Sequence, residues 1–155
     1  MGSRLRRREL IREDEPITAV ITEPKIVHGR FGRQLELKPR VTKGEYKGTE
    51  FKDWFSFGRD MDTEEEYIPY GGSLYTALSM VEPNIDDVLD DENLTEKKYQ
   101  AFIKDAVRKL DGFEIQARVG IKSPKNDPEK KRNLLQPGSF GPARDAEKIF
   151  DDITT

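Results

Sequence analysis

Apolar and polar positions alternate with period two through three stretches between Ile17 and Phe57, which predicts three consecutive β-strands. The first runs through Ile17-Thr-Ala-Val-Ile-Thr22, meets Pro24 at a bulge or edge, and resumes at Ile26 and Val27. His28-Gly-Arg-Phe-Gly32 supplies a turn whose two glycines tolerate positive φ. The second strand, Arg33 to Val41, sets Leu35, Leu37 and Val41 on one face and Gln34, Glu36 and Lys38 on the other. Lys43-Gly-Glu-Tyr-Lys-Gly48 turns the chain again, and Phe51, Phe55 and Phe57 then alternate with Lys52, Trp54 and Ser56 in the third strand.

The period changes after residue 70. Gly71-Gly72-Ser73 opens a short helix carrying Leu74, Ala77, Leu78 and Val81, which Pro83 stops. Thr95 caps a longer one, in which Tyr99, Phe102, Ile103, Ala106, Val107 and Leu110 form one apolar stripe ended by Gly112. Phe113, Ile115, Ala117, Val119 and Ile121 restore strict alternation in a fourth strand. A polar loop from Ser123 to Lys131 leads to a short closing strand at Asn133-Leu-Leu, and Pro137-Gly-Ser-Phe-Gly-Pro142 breaks regular structure. Residues 1 to 15 read as a flexible charged arm, 16 to 136 as one domain with a helical connection over about 72 to 111, and 137 to 155 as a flexible acidic tail.

Composition narrows the function. The chain has no cysteine and a single histidine, so disulfides, thiol nucleophiles and Cys/His metal clusters are excluded, and a reducing cytoplasm fits. Nothing approaches the roughly 20 apolar residues of a membrane span, and no signal-peptide core follows the Arg-rich start. The formal charge of −3 hides segregation: +4 over His28 to Arg59, −12 over Asp60 to Glu96, and +6 over Lys97 to Arg132. A basic face is therefore compatible with an acidic total, because local potential attracts a polyanion.

Three strands, a helical connection and a final hairpin form the order of an OB-fold, a five-stranded partly open barrel, making the expected class mainly β with a helical insertion between strands three and four. On Gly29-Arg-Phe-Gly-Arg-Gln-Leu-Glu-Leu37, Gly44-Glu-Tyr-Lys-Gly48, Phe51-Lys-Asp-Trp-Phe55 and Asn133-Leu-Leu-Gln-Pro137, the chain resembles the small single-stranded DNA-binding-type OB proteins of bacteriophages. The resemblance covers roughly residues 16 to 136. It implies that ligand crosses the outer face of strands two and three, between the turn after strand one and the loop between strands four and five. The long acidic insertion departs from the leaner bacterial pattern, and no acidic run with a terminal Phe supports recruitment of partners through a tail.

The candidate contacts are Arg30, Phe31 and Arg33 at the first turn, Lys38 and Arg40 on strand two, and Lys43, Tyr46 and Lys47 at the second turn. Lys52 and Trp54 on strand three and Lys122, Lys125, Lys130, Lys131 and Arg132 around the far loop complete the set. Cations neutralise phosphates without sequence preference, and exposed rings stack unpaired bases at about 1–3 kcal/mol each. Trp54 faces outward if its strand is regular; a bulge or an overlying helix would bury it. Phe31 could instead plug the barrel end, and Tyr46 could lie over the rim. The loop lysines have an ordinary alternative as a solvated charged hairpin, and Arg4 to Arg8 read as part of a solubilising arm.

The acidic stretches Asp60 to Glu66 and Asp86 to Glu92 lack calcium-loop spacing and read as solvated connection, set away from a DNA groove. No phosphate loop, dinucleotide fingerprint or nucleophile elbow is present, so no catalytic residue, cofactor or metal is expected. The expected function is non-catalytic binding of single-stranded DNA, with RNA as the alternative ligand, at low sequence specificity in replication or recombination. The rival is a protein-interaction or assembly module of a phage or bacterial complex. Replication or recombination proteins are the expected partners, and no heptad or edge-strand signature sets an oligomer number.

Overall fold

The computed structural model describes residues 10–30, 32–123 and 130–143. Among these residues the architecture is mainly β: an antiparallel sheet of six strands, a two-stranded hairpin, and three helices. Strand β1 (Pro16–Gly29) is long because two neighbours share it. Residues 16–20 pair with one and residues 19–29 with β2 (Gly32–Val41). Its register shifts between Thr22 and Lys25, where Glu23 takes φ 50° beside Pro24, so the bulge sits where proline removes a ladder donor. Gly29 pairs with Gly32 across the turn, as the two glycines foretold.

Strand β3 (Asp53–Ser56) pairs with β2, setting Trp54 opposite Glu36. Strands β4 (Gly58–Arg59) and β5 (Glu66–Tyr67) form a small separate hairpin absent from the sequence expectation. Two-residue strands are too short to show a period. The hairpin depends on Gly58, whose added Cβ would lie 2.4 Å from the Tyr67 ring.

Helix α1 (Ser73–Val81) ends just before Pro83, as expected. Helix α2 (Ile85–Leu89) was not expected; it is one short turn in the acidic stretch, pinned by the buried Ile85. Helix α3 (Glu96–Leu110) begins where the Thr95 hydroxyl accepts the Lys98 N–H at 3.2 Å, and Gly112 follows at φ 80°. Of the predicted stripe, Tyr99, Ile103, Ala106 and Leu110 are buried, and Phe102 and Val107 are partly buried against the core. No helix among the described residues is long and apolar enough to cross a membrane.

Strand β6 (Glu114–Lys122) carries β1 on one edge and, on the other, β7 (Arg132–Leu135) and β8 (Gly141–Pro142). The order is thus β3-β2-β1-β6-β7, with β8 beside β6. No backbone ladder joins β3 to β7, and the sheet is not closed. Side chains bridge the seam instead, among them the Asp53 carboxylate, which accepts the Leu135 N–H at 3.0 Å.

The core also holds residues outside the stretch 16 to 136. Ile11 is fully buried, held by the Asn133 amide, which accepts the Ile11 N–H at 2.9 Å and donates to the Ile11 carbonyl at 2.9 Å. At the other end Phe140 stacks on Phe55 with centroids 5.5 Å apart, and Ala143 is buried. A Leu10-Ile11 pair after a charged run shows no period, and Phe140 lies among turn formers. Their burial is set by distant partners. The remaining parts of the expected arm and tail, residues 1–9 and 144–155, lie outside the described residues.

Candidate nucleic-acid interface

Alternation along β2 and β3 turns Leu35, Leu37 and Phe55 inward and Glu36, Lys38 and Trp54 outward. A groove of about 470 Å³ opens beside this outer face where β3 approaches β7. It gathers five of the candidates: Lys38, Lys52, Trp54, Lys131 and Arg132. They come from β2, the approach to β3, β3 itself and the entry to β7. The groove therefore depends on β7 lying beside β3.

Trp54 is half-buried. Its indole N–H donates to Glu36 Oε1 at 3.0 Å, and the Arg132 guanidinium lies over its ring, 5.2 Å from the centroid. Glu36 also pairs with Lys25 at 3.3 Å. Lys38 pairs with Glu50 at 3.0 Å and Glu23 at 3.1 Å. Hydrogen bonds that the Lys38 ammonium donates to these two carboxylates raise its pKa, keeping it charged. The face is a mixed array in which carboxylates position cations. Such partly exposed pairs are individually weak, so a phosphate can compete for the lysines.

Below the groove, Asp53 is buried and accepts the Trp54 and Leu135 N–H groups at 2.8 and 3.0 Å. Burial raises its pKa, against the lowering effect of those bonds and of Arg132. Arg132 Nη1 lies 3.8 Å from Asp53 Oδ1 and is buried with no hydrogen-bond acceptor among the described residues. Asp53 and Arg132 thus join the sheet seam to the stacking ring.

The other candidates lie elsewhere. Arg33 shares the inward parity of Leu35, and it forms a bidentate pair with Glu66 at 2.7 and 2.8 Å while covering the Phe57 ring at 5.0 Å. Tyr99 donates its hydroxyl to the same carboxylate at 2.8 Å. Burial pushes the Glu66 carboxyl up, but the Arg33 and Tyr99 hydrogen bonds outweigh it and hold the pKa below the ordinary value. Arg33 is therefore a structural latch between β2 and β5. Replacing it with alanine should cost about 2 kcal/mol of unfolding free energy in urea, while leaving the salt dependence of ligand binding unchanged.

Tyr46 is half-buried against the core, and its hydroxyl accepts the Arg12 N–H at 3.3 Å, the rim position foreseen as its alternative. Lys43 borders a separate cavity with Thr18 and Arg118. Arg30, Arg40, Lys47, Lys122 and Lys130 are exposed but do not line the groove. Phe31 and Lys125 lie outside the described residues.

Sequence reasoning missed the acidic partners Glu23, Glu36 and Glu50, and the buried Asp53 and Asn133. For Asp53 a signal existed: it stands at core parity between Phe51 and Phe55. Among the described residues, no three His, Asp or Glu side chains are grouped to hold a metal ion. Comparison with protein-family models, curated proteins and solved structures found no match.

Proposed function

We propose that the chain binds single-stranded nucleic acid, DNA in the first instance, without catalysing a reaction, in replication or recombination. The observation that carries this reading is the grouping of Lys38, Lys52, Lys131 and Arg132 around the half-buried Trp54. Cations supply a sequence-independent attraction for phosphates, and the indole offers a face on which an unpaired base stacks. Arg132 Nη1, without an acceptor among the described residues, is a donor that a phosphate or base oxygen would satisfy. Duplex DNA hides its base faces, so this combination selects single strands.

The scaffold we propose is a partly open OB-type barrel. Support comes from the central β1 shared by β2 and β6, the helical crossing between β5 and β6, and the Asp53 bridge between edge strands β3 and β7. The interleaved glutamates limit affinity, and micromolar binding at moderate salt is the expected strength.

Fluorescence anisotropy of labelled single-stranded and duplex oligonucleotides at two salt concentrations tests the reading. Salt-sensitive binding to mixed-sequence and oligo-dT single strands, with little duplex binding, is the expected result. No binding at micromolar protein in low salt would overturn it and favour an assembly module.

A further inference from the structure

A second cavity, about 720 Å³, opens between the β4–β5 hairpin and the corner where α2 leads into α3. It shares no lining residue with the basic groove. Tyr67, Ile68, Leu89 and Leu94 give it an apolar wall, and Glu64, Glu65 and Glu96 stand at its rim. Glu66, also in the lining, is held by Arg33 and Tyr99, and this triad keeps the cleft in shape. At the rim, Glu64 lies 3.9 Å from Arg59 and Glu96 accepts from the Gln100 amide at 2.8 Å, exposed contacts weak enough for a partner's cation to replace.

Two further observations bear on what fits there. The large hydrophobic side chains most exposed among the described residues are Met61, Tyr67 and Tyr70, at 94%, 50% and 83%, and of these Tyr67 lines the cleft. No Lys or Arg occurs from Asp60 to Glu96, and the next two, Lys97 and Lys98, do not line the cavity. An exposed Tyr on an apolar wall with a charged rim is the composition of a protein-docking surface rather than of a merely solvated loop. A polyanion would be repelled, and a small cation would leave the apolar wall wet.

We infer that this cleft docks a segment of another protein that presents apolar side chains flanked by Lys or Arg. Apolar side chains of the partner cover Tyr67, Leu89 and Leu94, while its cations meet Glu64, Glu65 and Glu96. Charge complementarity selects the partner and speeds encounter, and the buried apolar contacts set how long it stays. The inference stands whether or not the groove binds nucleic acid, since the two sites share no residue.

The test uses the full chain and a fluorescein-labelled amphipathic Lys/Leu peptide of about 15 residues, with a matched Glu/Leu peptide as comparison. The expected result is saturable binding of the Lys/Leu peptide with Kd on the order of 10 µM, and at least about tenfold weaker binding of the Glu/Leu peptide. Tyr67→Ala, and separately the pair Glu65→Gln with Glu96→Gln, should each weaken binding about fivefold or more. Oligonucleotide affinity and thermal midpoint should stay at the wild-type value in the double glutamine variant, whose side chains are exposed. Absence of saturable binding below about 500 µM, equal binding of both peptides, or binding untouched by the glutamine pair would each overturn the inference.

Discussion

Trp54→Ala is expected to weaken binding of a mixed-sequence single strand by about 5- to 150-fold, the equivalent of about 1–3 kcal/mol for one lost stacking platform. The loss should be similar at low and high salt, because the indole contributes no charge. Lys52→Ala or Lys131→Ala should behave differently: each removes one phosphate contact and should flatten the slope of log affinity against log salt by about 0.7. Trp54→Phe separates two roles of the ring. Phenylalanine keeps a stacking face but cannot donate to Glu36, so recovery of most of the affinity would assign the effect to stacking. Since Trp54 is the chain's one tryptophan, its intrinsic emission reports the same site without a label. Unchanged affinity in Trp54→Ala, Lys52→Ala and Lys131→Ala would remove the groove from the binding site.

The second large effect is on stability and falls on Asp53. Asp53→Ala should lower the unfolding free energy by on the order of 3 kcal/mol, because the Leu135 N–H loses its acceptor in a buried setting and Arg132 loses its nearest carboxylate. Urea denaturation reads this directly. The carboxyl also has a pH signature. Burial raises its folded pKa above the unfolded value. Its stabilising contribution is therefore fully present below the unfolded pKa and is lost as pH rises through the folded pKa. Asp53→Asn lacks that titration. The stability of the wild type relative to Asp53→Asn should thus increase as pH falls from neutral into the acid range, with the shared titrations of other groups cancelling in the difference. A relative stability that decreases on acidification would contradict the burial of this group.

The same residues show how far alternation carries a reading of the chain. Period two placed Trp54 outward and Leu35 inward, because successive side chains of a strand must take opposite faces. Arg33 shares the parity of Leu35, but its proximity to a turn suggested the ligand face. Parity was the better guide, since a charged residue at core parity needs a partner, and Glu66 supplies it from 33 residues away. Asp53 and Leu135 make the same point over a separation of 82 residues. Nothing local in either segment announces the other.

Local chemistry by itself determined the bulge near Pro24, the glycine turn, the Thr95 cap, the apolar stripe of α3 and the alternation of β6. Each rests on backbone sterics or a side-chain period within a few residues. Only tertiary structure decided that β7 lies beside β3, that Ile11 and Phe140 enter the core, and that Lys131 and Arg132 join Lys38, Lys52 and Trp54 in one groove. It also decided which glutamates hold those cations. These outcomes depend on register and strand order, which long-range packing sets when distant apolar faces share one core. The hairpins and helix caps are local; the groove and the acidic cleft exist only once the chain has closed on itself.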